Sequence, residues 1–171
     1  MHDVIMMTRA KGPKHVVYFK RRRQGKTNYA KRLALIKSRK TKMLIRKSNK
    51  AIMIQFVNFA EIGDKTILTF HSKKLIKLFS WPAKRNVYTA YLTGLYAGKE
   101  AKKKNVDEFV LDIGLYAPTK GNVLFAALKG ALDAGLKTNF DEEKIPLQKL
   151  NAPPENIKHL FEQTKAKILG K

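Results

Sequence analysis

Cysteine is absent from the 171 residues, which excludes disulfides and thiolate metal sites and suits a reducing intracellular compartment. Acidic residues are scarce: 13 Asp and Glu stand against 36 Lys and Arg, a formal charge of +23. That excess is far beyond what solubility needs, and a polyanionic partner is its simplest reading. Long apolar runs are missing too. The longest uncharged stretch, Asn86 to Gly98, has 13 residues, short of the roughly 20 that cross a bilayer. The opening MHDVIMMTRAKG has neither the basic start nor the longer apolar centre of a secretory signal, so a soluble intracellular protein is expected. Four histidines (His2, His15, His71, His159) are scattered and suggest no metal site. The serines (Ser38, Ser48, Ser72, Ser80) match no nucleophile-elbow pattern.

What is present is sharply sorted. Residues 1–50 hold 17 basic residues and one acidic, a balance of +16, whereas residues 51–171 hold 19 and 12, a balance of +7. Seven of the eight arginines fall before residue 50, at Arg9, Arg21, Arg22, Arg23, Arg32, Arg39 and Arg46. Lysine often serves solubility alone, but the planar guanidinium grips phosphate through paired hydrogen bonds and stacks on bases. The segment YFKRRRQGKTNYAKRLALIKSRK therefore reads as a phosphate-binding arm. Tyr18, Phe19 and Tyr29 lie among its charges, placed either to stack on unpaired bases or to anchor the arm to its own core. The apolar stripe of Asn28 to Arg39, chiefly Tyr29, Leu33 and Ile36, is too narrow for an interfacial membrane helix.

The order of elements points to one α/β domain with appendages. Residues 1–27 read as a basic extended arm, and Asn28 caps a helix to about Lys37. Three strand-like runs follow (KMLIRK, AIMIQFVNFA, KTILTFHS) on short turns, an antiparallel meander. A loop containing SWPAK leads to a helix capped by Asn86, whose Tyr88, Tyr91, Leu92 and Leu95 define one buried face; Gly94 and Gly98 beside that stripe allow close packing. EFVLDIGL reads as a strand buried on both faces, parallel to its neighbour because a helix crosses over to it. YAPTKGN then enters a helix with Leu124, Ala127, Leu128, Ala131 and Leu132 on its apolar face and Gly135 at its stop. The run NFDEEKIPLQKLNAPP reads as irregular, and a last helix follows Pro153 and Pro154 with Ile157, Leu160, Phe161 and Ile168 on one side. The expected division is arm 1–27, α/β core 28–136 and C-terminal extension 137–171.

Catalytic patterns are weak. GLYAPTKGN joins a strand to a helix, yet Lys120 precedes Gly121 and Asn122 stands where a nucleotide loop needs Ser or Thr. What survives is either a phosphate site at the helix start, beside Lys120, or a tight turn capped by Asn122. Asp112 with Asp64 or Glu61 offers the alternative of a metal-dependent nuclease of the ribonuclease-H-like kind. A general architectural nucleic-acid binder is a further alternative.

The blocks RRRQGKTNYAKRLALIKSRKTKMLIRKSNKAIMIQFV, NVYTAYLTGLYAGKEA and VLDIGLYAPTKGNVLFAALKGALDAGL, followed by IP, closely resemble universal family eighteen of large-subunit ribosomal proteins, whose eukaryotic relative is called L-five. The match covers about residues 18–146, and the length resembles the archaeal form. The resemblance implies helices packed on a small mixed sheet, a three-strand antiparallel meander plus one parallel strand, as in ribosomal protein S-eleven. It implies a non-enzymatic, cytoplasmic constituent of the large ribosomal subunit that binds 5S rRNA, attaches it to 23S rRNA and neighbours the 5S-binding protein of universal family five. No cofactor, membrane or small-molecule substrate is implied. Carried over residue by residue, RNA contact falls on Arg21, Arg22, Arg23, Lys26, Thr27, Asn28, Tyr29, Arg32, Arg39, Arg46, Lys47, Ser48, Asn49, Lys50, Lys120 and Asn122.

Overall fold

The apolar alternation Met43, Ile45 on one strand and Ile52, Ile54, Phe56 on the next decides which face of the sheet is covered. All five side chains are fully buried against helices, as period-two patterning requires. The structure, a computed structural model, describes residues 12–82 and 84–170; Arg9 and the first eleven residues of the expected arm lie outside them. Strands β1 (Thr41–Lys47), β2 (Ile52–Asn58), β3 (Lys65–His71) and β4 (Phe109–Asp112) form one sheet in the order β3-β2-β1-β4. The first three make the antiparallel meander, and β4 pairs parallel to β1, with Thr41 opposite Phe109 and Leu44 opposite Asp112. This is the α/β mixed sheet expected above.

Seven α-helices accompany the strands among the described residues: α1 (Lys20–Arg23), α2 (Tyr29–Lys37), α3 (Lys74–Phe79), α4 (Val87–Lys103), α5 (Val123–Asp133), α6 (Leu147–Asn151) and α7 (Glu155–Gly170). Asn28, Asn86 and Asn122 cap α2, α4 and α5, each side-chain oxygen accepting a first-turn amide. Helices α4 and α5 supply most of the covering layer. Their backbones approach closely, because a Cβ on Gly94 would collide with the carbonyl oxygen of Ala127 and one on Gly130 with that of Tyr91. Helix α7 adds Phe161 and Ile168 to the same core, and Lys99 Nζ on α4 donates to the terminal carbonyls of Ile168 and Leu169 at 2.7 and 2.9 Å, a cation at the negative end of the helix dipole.

Five expectations need correction. Strand β4, expected to be buried on both faces, lies at the outer edge of the sheet and fully buries only Phe109. The arm is not wholly extended, since Lys20–Arg23 forms a helical turn that buries nothing. The segment before SWPAK holds α3, which buries Leu75 and Phe79; Trp81 within SWPAK is itself 1% exposed and donates to Thr89 Oγ1 at 2.8 Å. The run expected to be irregular contains a 3-10 turn (Glu142–Lys144) and α6. On α2, Leu33 is exposed while Leu35 is half-buried, because this short helix meets the sheet's other face rather than the core.

Candidate nucleic-acid interface

The arm is held together by its own polar groups. Arg21 Nε donates to Thr27 Oγ1 at 2.8 Å, Lys26 N to Arg21 O at 2.9 Å, and Gly25 at φ +61° makes the intervening reversal, a conformation glycine adopts freely. The Arg22 guanidinium lies 4.1 Å over the Tyr18 ring, and Phe19 meets Tyr29 with ring centroids 5.3 Å apart. Tyr18 and Phe19 are exposed and Tyr29 is half-buried. Arg21, Arg22, Arg23 and Lys26 all face solvent.

Opposite the α4 and α5 layer, the arm and the start of α2 stand over β1 and β4 and enclose a cleft of about 210 Å³. Arg21, Lys26, Asn28, Lys31 and Arg32 line one wall; Lys42, Leu44, Arg46, Asp112 and Gly114 line the other. Arg46 is the hinge of this arrangement. One terminal nitrogen donates to the carbonyls of Ile45 and Asp112, both at 3.0 Å, and the other reaches Asp112 Oδ2 at 3.4 Å. Asp112 Oδ1 meanwhile accepts the Gly114 amide at 2.7 Å. Beneath the loop before β3, buried Lys42 pairs with Asp64 at 2.6 Å. Both carboxylates of the cleft are thus matched by a cation, and the remaining basic groups leave it strongly positive. A second hollow of about 380 Å³, between Arg22, Gly25, Tyr29 and Leu115, continues it outward.

The β1–β2 turn follows Arg46, at one end of the cleft. Ser48 Oγ donates to Ala51 O and accepts from Ala51 N, both at 3.1 Å, so the turn is tied while Ser48, Asn49 and Lys50 face solvent. Lys47 Nζ lies 4.8 Å over the Tyr116 ring, whose hydroxyl donates to Lys47 O at 3.1 Å. That contact joins the turn to the loop carrying Lys120 and Asn122. Lys120 Nζ pairs with Glu143 at 2.6 Å on an exposed surface, a contact worth little, and Asn122 spends its side chain on Thr119 and the cap of α5. Arg39, at φ +53° just before β1, stands at the opposite end of that strand from Arg46.

The structure therefore brings Arg21, Lys26, Thr27, Asn28, Arg32 and Arg46 to one cleft, with Lys47 to Lys50 beside it, and leaves Arg39 apart. Sequence reasoning missed Lys31, although it lies three residues after the capping Asn28, and missed Lys42, whose place among strand residues disguised it. It also missed that Asp112, considered as a nuclease carboxylate, is bound by Arg46 and Gly114. Among the described residues no three His, Asp or Glu side chains gather as a metal ligand set, and no helix is long and apolar enough to cross a membrane. At the far end of β4, the hydrogen bond from Lys40 holds the Glu108 carboxyl below its usual range.

Residues 13–109 match the family described as ribosomal large subunit proteins 60S L5, and 50S L18. A curated relative from Aeropyrum pernix, large ribosomal subunit protein uL18, is 48% identical over 137 residues, covering 80% of this chain and 64% of its own length. Its namesake from Korarchaeum cryptofilum is 47% identical over 80% of this chain and 70% of its own. That of Ignicoccus hospitalis is 43% identical over 88% and 76%.

Proposed function

Since the chain belongs to the family of ribosomal large subunit proteins 60S L5 and 50S L18, we propose that it is a structural, non-catalytic constituent of the large ribosomal subunit. It binds 5S rRNA, mediates its attachment to 23S rRNA and neighbours other subunit proteins, including the 5S-binding protein of universal family five. The ribosome in the cytoplasm is its place of work. The observation that carries this reading is the convergence of arginines from the arm and from β1 on one positive cleft. Guanidinium groups at such a seam can grip phosphates from two sides, and the tied turn at Ser48 to Lys50 offers cations, a hydroxyl and an amide to neighbouring riboses.

In this proposal residues 1–27 and the cleft grip RNA, residues 28–136 hold them in position, and residues 137–171 brace the core through α7. Lys120 and Asn122 take a secondary part. The test is titration of purified protein with 5S rRNA over a range of salt. Each phosphate neutralised adds roughly 0.7 to 0.9 to the slope of log affinity against log salt, so a steep decline is expected and a flat response refutes the reading. Duplex DNA at matched salt should compete poorly, and RNA incubated with the protein and magnesium or manganese should stay intact.

A further inference from the structure

Strand β3 is an outer strand of the sheet. Ser72 N donates to Ile52 O at 2.8 Å, which sets the antiparallel alternation: Leu68 and Phe70 turn their main chain toward β2, and Thr69 and His71 turn theirs outward. Among the described residues the outward carbonyl of Ile67 is taken by Lys104 Nζ at 2.6 Å, while no partner occupies the outward groups of Thr69 and His71. Directly beside this edge lies a groove of about 770 Å³ between β3, α3 and α4. Its floor and wall are Leu68, Phe70, Tyr96 and Leu78, the last 44% exposed. Lys73, Lys74 and Lys77 rim it. Its one carboxylate, Glu100, is engaged by Lys103 at 2.8 Å.

We propose that this edge and groove receive an extended segment of a partner protein, rich in acidic residues, that adds a fifth strand beside β3. An apolar side chain of that segment fills the hollow against Phe70, Tyr96 and Leu78, and its carboxylates meet the lysine rim. Strand addition is a recurrent mode in which main-chain hydrogen bonds supply affinity and a pocket supplies selectivity. An unpaired edge beside an apolar hollow also needs covering in the working assembly. RNA fits less well: among the described residues the rim holds lysine and no arginine, and an apolar floor offers nothing to a phosphate.

A synthetic seven-residue peptide alternating Glu with Val and Phe, added to the full chain, tests this. It should bind and slow amide exchange at Thr69 and His71 at least tenfold. A copy with every backbone nitrogen methylated, which has no main-chain N–H to donate from either edge, should bind at least tenfold more weakly. So should the unmodified peptide to the Lys73→Glu, Lys74→Glu, Lys77→Glu triple variant, whose changes are all at exposed positions and whose fold is checked by circular dichroism. Absence of peptide binding, binding indifferent to methylation, or stronger protection of the same amides by a single-stranded RNA oligonucleotide would each overturn the proposal. The peptide arms stand independently of 5S rRNA binding.

Discussion

Arg46 serves two purposes with one side chain. Its guanidinium spans from β1 to β4 through the Asp112 carbonyl and carboxylate, and its flank faces the cleft proposed for RNA. Lysine has the charge without the planar fork, so Arg46→Lys should cost about 1 kcal/mol of stability by urea melt and weaken 5S rRNA binding several-fold. Loss of stability without loss of binding would confine Arg46 to a scaffold part. The clustering of arginine before residue 50 was legible in the sequence, as was the cap at Asn28. The partnership of Arg46 with Asp112 was not, because the two are 66 residues apart and meet only through the parallel register of β1 and β4. Tyr91 gives a second test at this scale. Burial first, then its hydrogen bond to Asp133 at 2.8 Å, pushes its phenol above the ordinary value near 10. The un-ionised form is the one the fold favours, so this contribution is complete below pH 10 and is lost as pH climbs toward the higher folded value. Thermal melts between pH 8 and 11 should show the wild type losing more stability than Tyr91→Phe, and parallel curves would disprove it.

At the scale of elements, the α4–α5 pair depends on missing side chains. The i, i+3, i+4 spacing of Tyr88, Tyr91, Leu92 and Leu95 revealed α4, and Gly94 with Gly98 hinted at close packing; Gly130, the reciprocal contact, drew no attention because it lies within a run of alanines and leucines that any helix tolerates. Alanine normally gains about 1 kcal/mol over glycine inside a helix. Here the added methyl meets backbone rather than a yielding side chain, and Gly94→Ala should instead destabilise by about 2 kcal/mol in denaturant melts. A stabilised variant would mean that the helices separate easily. Helices α3 and α6 escaped notice because six and five residues are too few to show a period, and tertiary contacts such as those of Leu75 and Phe79 hold them instead. Leu33 and Leu35 exchanged places for a related reason: α2 buries no side chain fully, so its orientation follows the cleft and not a core stripe.

For the molecule as a whole, the unequal division of charge matters more than its total. Residues 1–50 carry +16 and residues 51–171 +7, and among the described residues the fold gathers Arg21, Lys26, Lys31, Arg32 and Arg46 on the sheet face away from α4 and α5. Removing residues 1–27 should therefore lower 5S rRNA affinity more than neutralising a similar number of lysines beyond residue 60, measured by filter binding at one salt concentration; equal losses would mean the cleft is misplaced. Composition made the basic arm plain, but not the surface it overlies: the alternation through Met43, Ile45, Ile52, Ile54 and Phe56 marks the covered face of the sheet, yet no local pattern says that the arm and α2 return to the other one. The short strand β4 is tied to β1 by Arg46 at Asp112, and the exposed Lys40–Glu108 pair stands at its other end. Two distant stretches of polypeptide consequently meet along one wall of the cleft, and in the RNA-binding role proposed above that wall sets the side from which a strand can enter.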